Sequence, residues 1–294
     1  MRRDALLLVA VIAAALVLLN PQLDHGREST DVYVSTNGSD WNSGRSAESA
    51  LATIQRAADI VRPGQAVLIL PGTYHESVRV RRGGLAGLPV VFKAVKSGSV
   101  TISGAAREEE VSKLQWRSEG GKVWSAKTAW PVYHVIGDGE NFYHVRWANG
   151  QGDAVYDFTA ASGRRMALRE VTDRPNAGGA FTFEEGRLYA AFPDGRSPAE
   201  HDLKIHREIP PPYASWSIRS ANVRVEAAHV RFEGIAFSLG VGAGMLLWDA
   251  KDVAVRNCSF TGAMFGISGF PRVRLPRDLL VEHSFYTNYP QYRW

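Results

Sequence analysis

The last third of the chain repeats itself. His229-Val230-Arg231-Phe232-Glu233-Gly234-Ile235-Ala236-Phe237 aligns with Asp252-Val253-Ala254-Val255-Arg256-Asn257-Cys258-Ser259-Phe260, then with Asp278-Leu279-Leu280-Val281-Glu282-His283-Ser284-Phe285-Tyr286, at offsets of 23 and then 26 residues. Self-similarity at such a period means one small unit stacked on copies of itself. The apolar residues alternate rather than recur at helical spacing, so each unit is built of strands, with alternate side chains turned inward and equivalent residues about 4.8 Å apart along the stack. Gly244-Met245-Leu246-Leu247 and Gly266-Ile267 supply a second short strand between copies. Layered α/β sheets need a helical crossover between parallel strands, and no helix lies between these. The chain therefore winds as a coil of short strands.

Stacking gives each column a meaning. Cys258 shares a column with Ile235 and Ser284 and reads as a small buried thiol rather than a nucleophile. Glu233, Arg256 and Glu282 alternate in sign and read as an exposed ladder. Gly234, Asn257 and His283 fall at a turn, where glycine and asparagine accept a left-handed backbone.

The front of the chain follows the same grammar. Val32-Tyr33-Val34 is a short strand, and Asn37 to Gly44 a turn-dense loop. Leu51, Ile54, Ala57, Ala58 and Val61 predict a helix within 50–61, with Ser49 as N-cap and Pro63-Gly64 as stop. Ala66 to Leu70 reads as a buried strand closed by Pro71-Gly72. Val67 to Val90 and Val78 to Val100, 23 and 22 residues apart, are expected to stack as successive windings. Residues 105–215 break the rhythm with Trp116, Trp124, Trp130, Phe142, Tyr156 and other aromatics, and read as a β-rich insertion with its own core. Within it Phe181-Thr182-Phe183 and Leu188 to Phe192 form a hairpin across a four-residue loop, Glu184 to Arg187.

Of 294 residues 45% are hydrophobic, so disorder is excluded, and a net charge of +4 is too mild for a nucleic-acid partner. One cysteine excludes an intramolecular disulfide. Arg2 and Arg3 precede an apolar run, Ala5 to Leu19, in the order of a secretory signal. Fifteen helical residues span about 22 Å, short of a roughly 30 Å hydrocarbon core. No small-x-small cleavage pair follows, which leaves an uncleaved anchor as the alternative. Either form exports the body, to a secreted, periplasmic or tethered location, with membrane contact through this segment alone. The expected divisions are 1–30 leader and linker, 31–104 cap and first windings, 105–215 insertion, and 216–294 later windings. The chain stops eight residues past Tyr286, which predicts an uncovered last winding and either end-to-end self-association or a truncated product.

Tyr33-Val34 with Asn37-Gly38-Ser39-Asp40-x-Asn42-x-Gly44, then Thr53-Ile54-Gln55-x-Ala57, Pro63-Gly64-Gln65-Ala66-Val67 and Leu70-Pro71-Gly72-Thr73-Tyr74-x-Glu76, resembles the opening of right-handed parallel β-helix proteins of the pectate-lyase-like superfamily. The resemblance covers 32–104 and resumes near 218. It implies an all-β solenoid whose helix at 50–61 caps the open end. It also implies an exported carbohydrate-active protein, lyase-, epimerase- or hydrolase-like, acting on an acidic polysaccharide, with calcium as the cofactor the family suggests. The same coil also serves as a non-catalytic surface module binding glycan or protein.

Lyase or epimerase chemistry on a uronic acid needs a base beside the carboxylate and a cation to stabilise the enolate. Lys251, Arg256 and His283 are the candidates for catalysis, and Asp249, Arg274 and Arg277 for substrate binding. Asp252 and Asp278 precede strands and read first as turn caps that bond nearby amides. His134, His144, Arg146 and Asp153 form a second polar set, with His144 and Arg146 on one solvated strand face. Asp40-Trp41-Asn42-Ser43-Gly44 offers alternating oxygens but lacks the bidentate acid of a calcium loop, and reads as a turn. No metal site is expected. Phosphate-loop, Gly-x-Ser-x-Gly and His-Glu-x-x-His motifs are absent.

Overall fold

The computed structural model describes residues 31–144, 179–207, 221–240, 243–262, 265–270 and 277–287. The apolar leader at 1–30, Arg146, Asp153, Arg274 and the last residues of the chain lie outside that set.

The described chain is mostly β, and three of its sheets are wholly parallel. Strand β1 (Val32–Val34) opens sheet 1. The first circuit places β2 (Ala66–Ile69) in sheet 1, β3 (Gly72–Tyr74) in sheet 2 and β4 (Val78–Val80) in sheet 3. The second begins with β5 (Val90–Ala94) in sheet 1 and β6 (Val100–Ser103) in sheet 2.

A mainly antiparallel unit then intervenes. It holds β7 (Arg117–Gly120), β8 (Val123–Lys127), β9 (Val132–Gly137), β10 (Glu140–Asn141), β11 (Tyr143–His144), β12 (Ala180–Glu184), β13 (Arg187–Ala191) and β14 (Leu203–Arg207). Its strand pairs are antiparallel except for β11–β12. Strand β15 (Ala221–Val225) completes the circuit in sheet 3. The third circuit is β16 (Ala228–Glu233), β17 (Ile235–Ser238) and β18 (Ala243–Trp248), and the fourth β19 (Lys251–Arg256), β20 (Ser259–Thr261) and β21 (Phe265–Phe270). Finally β22 (Arg277–Glu282) and β23 (Phe285–Thr287) return to sheets 1 and 2.

One core fills the space between the three sheets, because every strand turns alternate residues toward it. Val67, Phe92, Phe232 and Val255 form one inward column of sheet 1, and Val281, 46% exposed, continues it in register. The rings of Phe92 and Phe232 stack at 5.2 Å, and Phe237 stacks on Phe260 at 4.8 Å. Register follows the repeat: Val230, Val253 and Leu279 are partners, as are Phe237, Phe260 and Tyr286. The turn column is left-handed throughout, with φ of 71° at Gly234, 52° at Asn257 and 46° at His283. Cys258 is buried, and burial pushes its thiol up to about 11.

Helix α1 (Ile54–Ile60) sets Ile54, Ala57 and Ala58 into the same core beside β1, β2 and β4. Its N-cap is Thr53, whose hydroxyl accepts the Arg56 amide at 3.0 Å, and not Ser49. Leu51 is still bridged to Val34, so the chain stays extended three residues longer than the apolar spacing suggested.

Three further expectations are corrected. Val78 does not stack with Val100: it pairs with Val223, beyond the antiparallel unit, because that unit leaves the circuit between sheets 2 and 3. Val67 pairs with Phe92, two residues later than the assumed Val90. The hairpin β12–β13 turns through two residues rather than four, since Glu184 pairs Arg187 and Glu185-Gly186 both have positive φ. Asp138-Gly139 makes the same kind of turn between β9 and β10. The unit has its own core, including Val135, Phe181, Leu188 and Ile205.

Candidate active site

Alternation on sheet 2 turns Val100 and Ile102 inward and therefore Thr101 and Ser103 outward. Thr101 is in register with Thr73, and Ser103 with Ser238, so the outer face carries two short files of hydroxyls. Gly104 makes this floor compact: a Cβ there would lie 2.1 Å from the Leu239 carbonyl oxygen. The antiparallel unit supplies the opposite wall, through helix α2 (Glu108–Ser112), β9 and β14. Between floor and wall runs a groove of about 490 Å³.

Three ionisable side chains line it: His75, Glu108 and Lys204. The His75 Nδ1 lies 2.8 Å from the Ala105 carbonyl oxygen. A carbonyl only accepts, so Nδ1 carries the proton and the neutral ring keeps its lone pair on Nε2. Glu108 is exposed in the first turn of α2, and the exposed Lys204 has its ammonium 3.6 Å from the Asp202 carboxylate. A basic lone pair, a carboxylate and an ammonium above a hydroxyl floor can hold a polyhydroxylated ligand, neutralise an acid group on it and move a proton.

Sequence reasoning passed over this set. His75 is the unspecified residue of the Gly72-Thr73-Tyr74-x-Glu76 motif, and Lys204 lies on the far side of the antiparallel unit. The legible trace was the pair of outward hydroxyls on β6. Glu76 itself is structural: its two carboxylate oxygens accept the Ile54 and Gln55 amides at 2.8 and 3.0 Å, and burial raises its pKa.

The candidates chosen from the repeat lie on sheet 1 instead, in two groups. Lys251 is exposed at the start of β19, in register with Ala228 and with Arg277, which opens β22. Asp249 is exposed in the preceding turn, at φ 53°. Arg256 ends the same strand, about 17 Å from Lys251 at strand rise. Its Nε donates to Glu282 at 2.6 Å, and the exposed His283 follows Glu282 in the next turn. Lys93 and Glu233 extend this ladder at 3.4 Å. The structure thus separates Lys251, Asp249 and Arg277 from Arg256 and His283.

Asp252 lies beside the first group, and it bonds side chains of the preceding circuit rather than the nearby amides expected of a turn cap. Arg231 Nη2 donates to both carboxylate oxygens at 2.8 and 2.9 Å, and His229 Nδ1 lies 2.6 Å away. These contacts, Arg231 foremost, hold its carboxyl below the usual range. In the loop weighed for calcium, Asp40 accepts the Ala52 and Thr53 amides and the Thr53 hydroxyl, each at 2.9 Å, so it anchors the entry to α1. Among the described residues no group of three or more His, Cys, Asp or Glu is placed to hold a metal. In the second polar set, His134 packs against His206 at 5.3 Å between ring centroids. His144 contributes backbone to β11.

No protein-family model matches the chain. It is 40% identical over 73 residues to the uncharacterized protein YwoF of Bacillus subtilis, a match spanning 25% of this chain and 15% of that one. Its structure is similar to that of XylC solved with xylose, at a TM-score of 0.49 and 19% identity, over 79% of this chain and 41% of that one. It is also similar to the GH136 lacto-N-biosidase of Eubacterium ramulus, at a TM-score of 0.42 and 11% identity, over 88% and 34% of the two chains. This chain therefore spans less than half the length of each of these three proteins.

Proposed function

We propose that the protein is a carbohydrate-active right-handed parallel β-helix that is exported and acts on an acidic polysaccharide in the groove between sheet 2 and the antiparallel unit. The observation that carries this reading is the groove's chemistry: hydroxyls of Thr73, Thr101, Ser103 and Ser238 beneath His75, Glu108 and Lys204. Sugar rings present hydroxyl edges that such a floor can bond, and Lys204 offers a uronate carboxylate its counter-charge. His75 Nε2 is then the base that takes the proton beside that carboxylate, and the imidazolium so formed returns it to the leaving oxygen. Three sheets visited in fixed rotation, each return landing one strand further on, support the β-helix. The charged-then-apolar order of Arg2, Arg3 and Ala5 to Leu19 supports export.

The test uses the full chain against pectin, alginate and glycosaminoglycans, with and without calcium, reading new reducing ends, unsaturated uronate and retention on immobilised glycan. Turnover by the wild type, lost in His75→Gln and in Lys204→Gln, is the expected result. Retention without turnover assigns the groove to a binding module, the non-catalytic alternative. If no polysaccharide is retained or changed, the reading is wrong.

A further inference from the structure

Trp41 is 97% exposed, although the loop that carries it is braced on both sides. Asp40 turns inward onto the α1 entry, as described above, and the Asn42 side chain donates to the Ala50 carbonyl oxygen at 2.9 Å. The amides of Trp41 and Asn42 both bond Ser39, at its hydroxyl and its carbonyl oxygen respectively. With the side chains of both neighbours bonded back to the fold, the loop backbone is held and the indole is left facing solvent. Its large apolar face is presented to solvent with nothing of the fold resting on it.

The loop's root borders the strand that edges the groove. Asp40 holds the amides of residues 52 and 53 while Glu76 holds those of 54 and 55, so the two carboxylates grip successive amides of one turn. Glu76 follows His75, which lines the groove. Thr36, at the root of the Trp41 loop, packs so closely on Gly72 that a Cβ there would come within 2.8 Å of its methyl group. Gly72 opens β3, and β3 is the edge strand of sheet 2. A ligand lying along the outer face of sheet 2 and leaving past β3 meets this loop next.

We infer that Trp41 is an aromatic platform on which a pyranose ring of a glycan chain, extending out of the groove past β3, stacks its apolar C–H face. The inference rests on the glycan reading of the groove and adds a subsite to it. Sugar rings suit such a site because one face is apolar while the rim stays hydrated, so an exposed indole binds them without burying polar groups.

Calorimetric titration with tri- and hexagalacturonate, and with tri- and hexaguluronate, tests it. In the wild type the hexamer is expected to bind more tightly than the trimer of the same series. Trp41→Ala should weaken the hexamer by roughly three- to tenfold, the scale of one aromatic stacking contact, and leave the trimer alike in both proteins. Trp41→Phe should recover part of the loss. Melting temperatures should agree between the proteins, because the side chain packs against nothing. Equal hexamer affinity in wild type and Trp41→Ala overturns the platform while the groove reading stands. So does an equal loss for trimer and hexamer. If the wild type binds none of the four oligomers, the platform falls, and the groove reading is decided by the wider polysaccharide panel above.

Discussion

His206 makes the antiparallel unit sensitive to acid. It lies on β14 in register with His134 of β9, is 1% exposed, and has neither ring nitrogen hydrogen-bonded. The His134 ring is its edge-on neighbour, and Ala105 is bridged to its backbone. Burial, with His134 adding to it, pushes His206 well below the ordinary value of 6.5. A histidine depressed in the folded state takes up its proton more readily when unfolded, so stability is full above the unfolded value and falls as pH drops below it. Between pH 6.5 and pH 5 a ring kept neutral by the fold forfeits up to about 2 kcal/mol, roughly thirtyfold in the opening equilibrium. Hydrogen exchange of the β9 and β14 amides at pH 7.5 and pH 5, corrected for intrinsic rates, measures this locally. The wild type should lose protection at pH 5 relative to the Val230–Phe232 amides of sheet 1. His206→Phe, an aromatic of similar size that cannot titrate, should abolish the difference. Equal pH dependence in both proteins, or protection that grows in acid, would refute the reasoning.

Three other outcomes follow from the packing and the ion pairs. Phe232→Ala removes a ring stacked on Phe92 at 5.2 Å and set edge-on to Phe237 at 6.2 Å, and should cost about 3–5 kcal/mol, read as a lower guanidinium midpoint. The Cys258 thiol, pushed up to about 11 by burial and within 3.3 Å of the Arg256 carbonyl oxygen, should not react with a disulfide reagent at pH 8 until the protein is denatured; rapid reaction of native protein contradicts that placement. Asp252→Asn should cost about 1 kcal/mol or less at pH 7, since the side chain is one-third exposed. The depressed carboxyl contributes fully above its unfolded value of 3.8 and progressively less as pH falls toward its lower folded value, so the gap between wild type and variant should shrink as pH is lowered below 3.8.

The inward columns could be read from the repeat because the core accepts only a few residue types there: Val230 and Val253, both buried, could be aligned from the sequence alone. Turn positions were legible for a similar reason, since the left-handed backbone at Gly234 and Asn257 restricts what can stand there. Where the antiparallel unit interrupts a circuit, this logic fails. The partner of Val78 is Val223, so no local period connects them, and Val100 was the nearest strand of the right length. The groove was harder still. His75, Glu108 and Lys204 lie on outward surfaces, where the core imposes no residue type, and they meet only because the unit leaves sheet 2 after β6 and folds back across it. Side chains that could do chemistry here sit at the positions the fold constrains least. A periodic search will therefore find ladders such as Arg256 and Glu282, which are periodic because they hold neighbouring strands together, before it finds a site assembled from three unrelated segments.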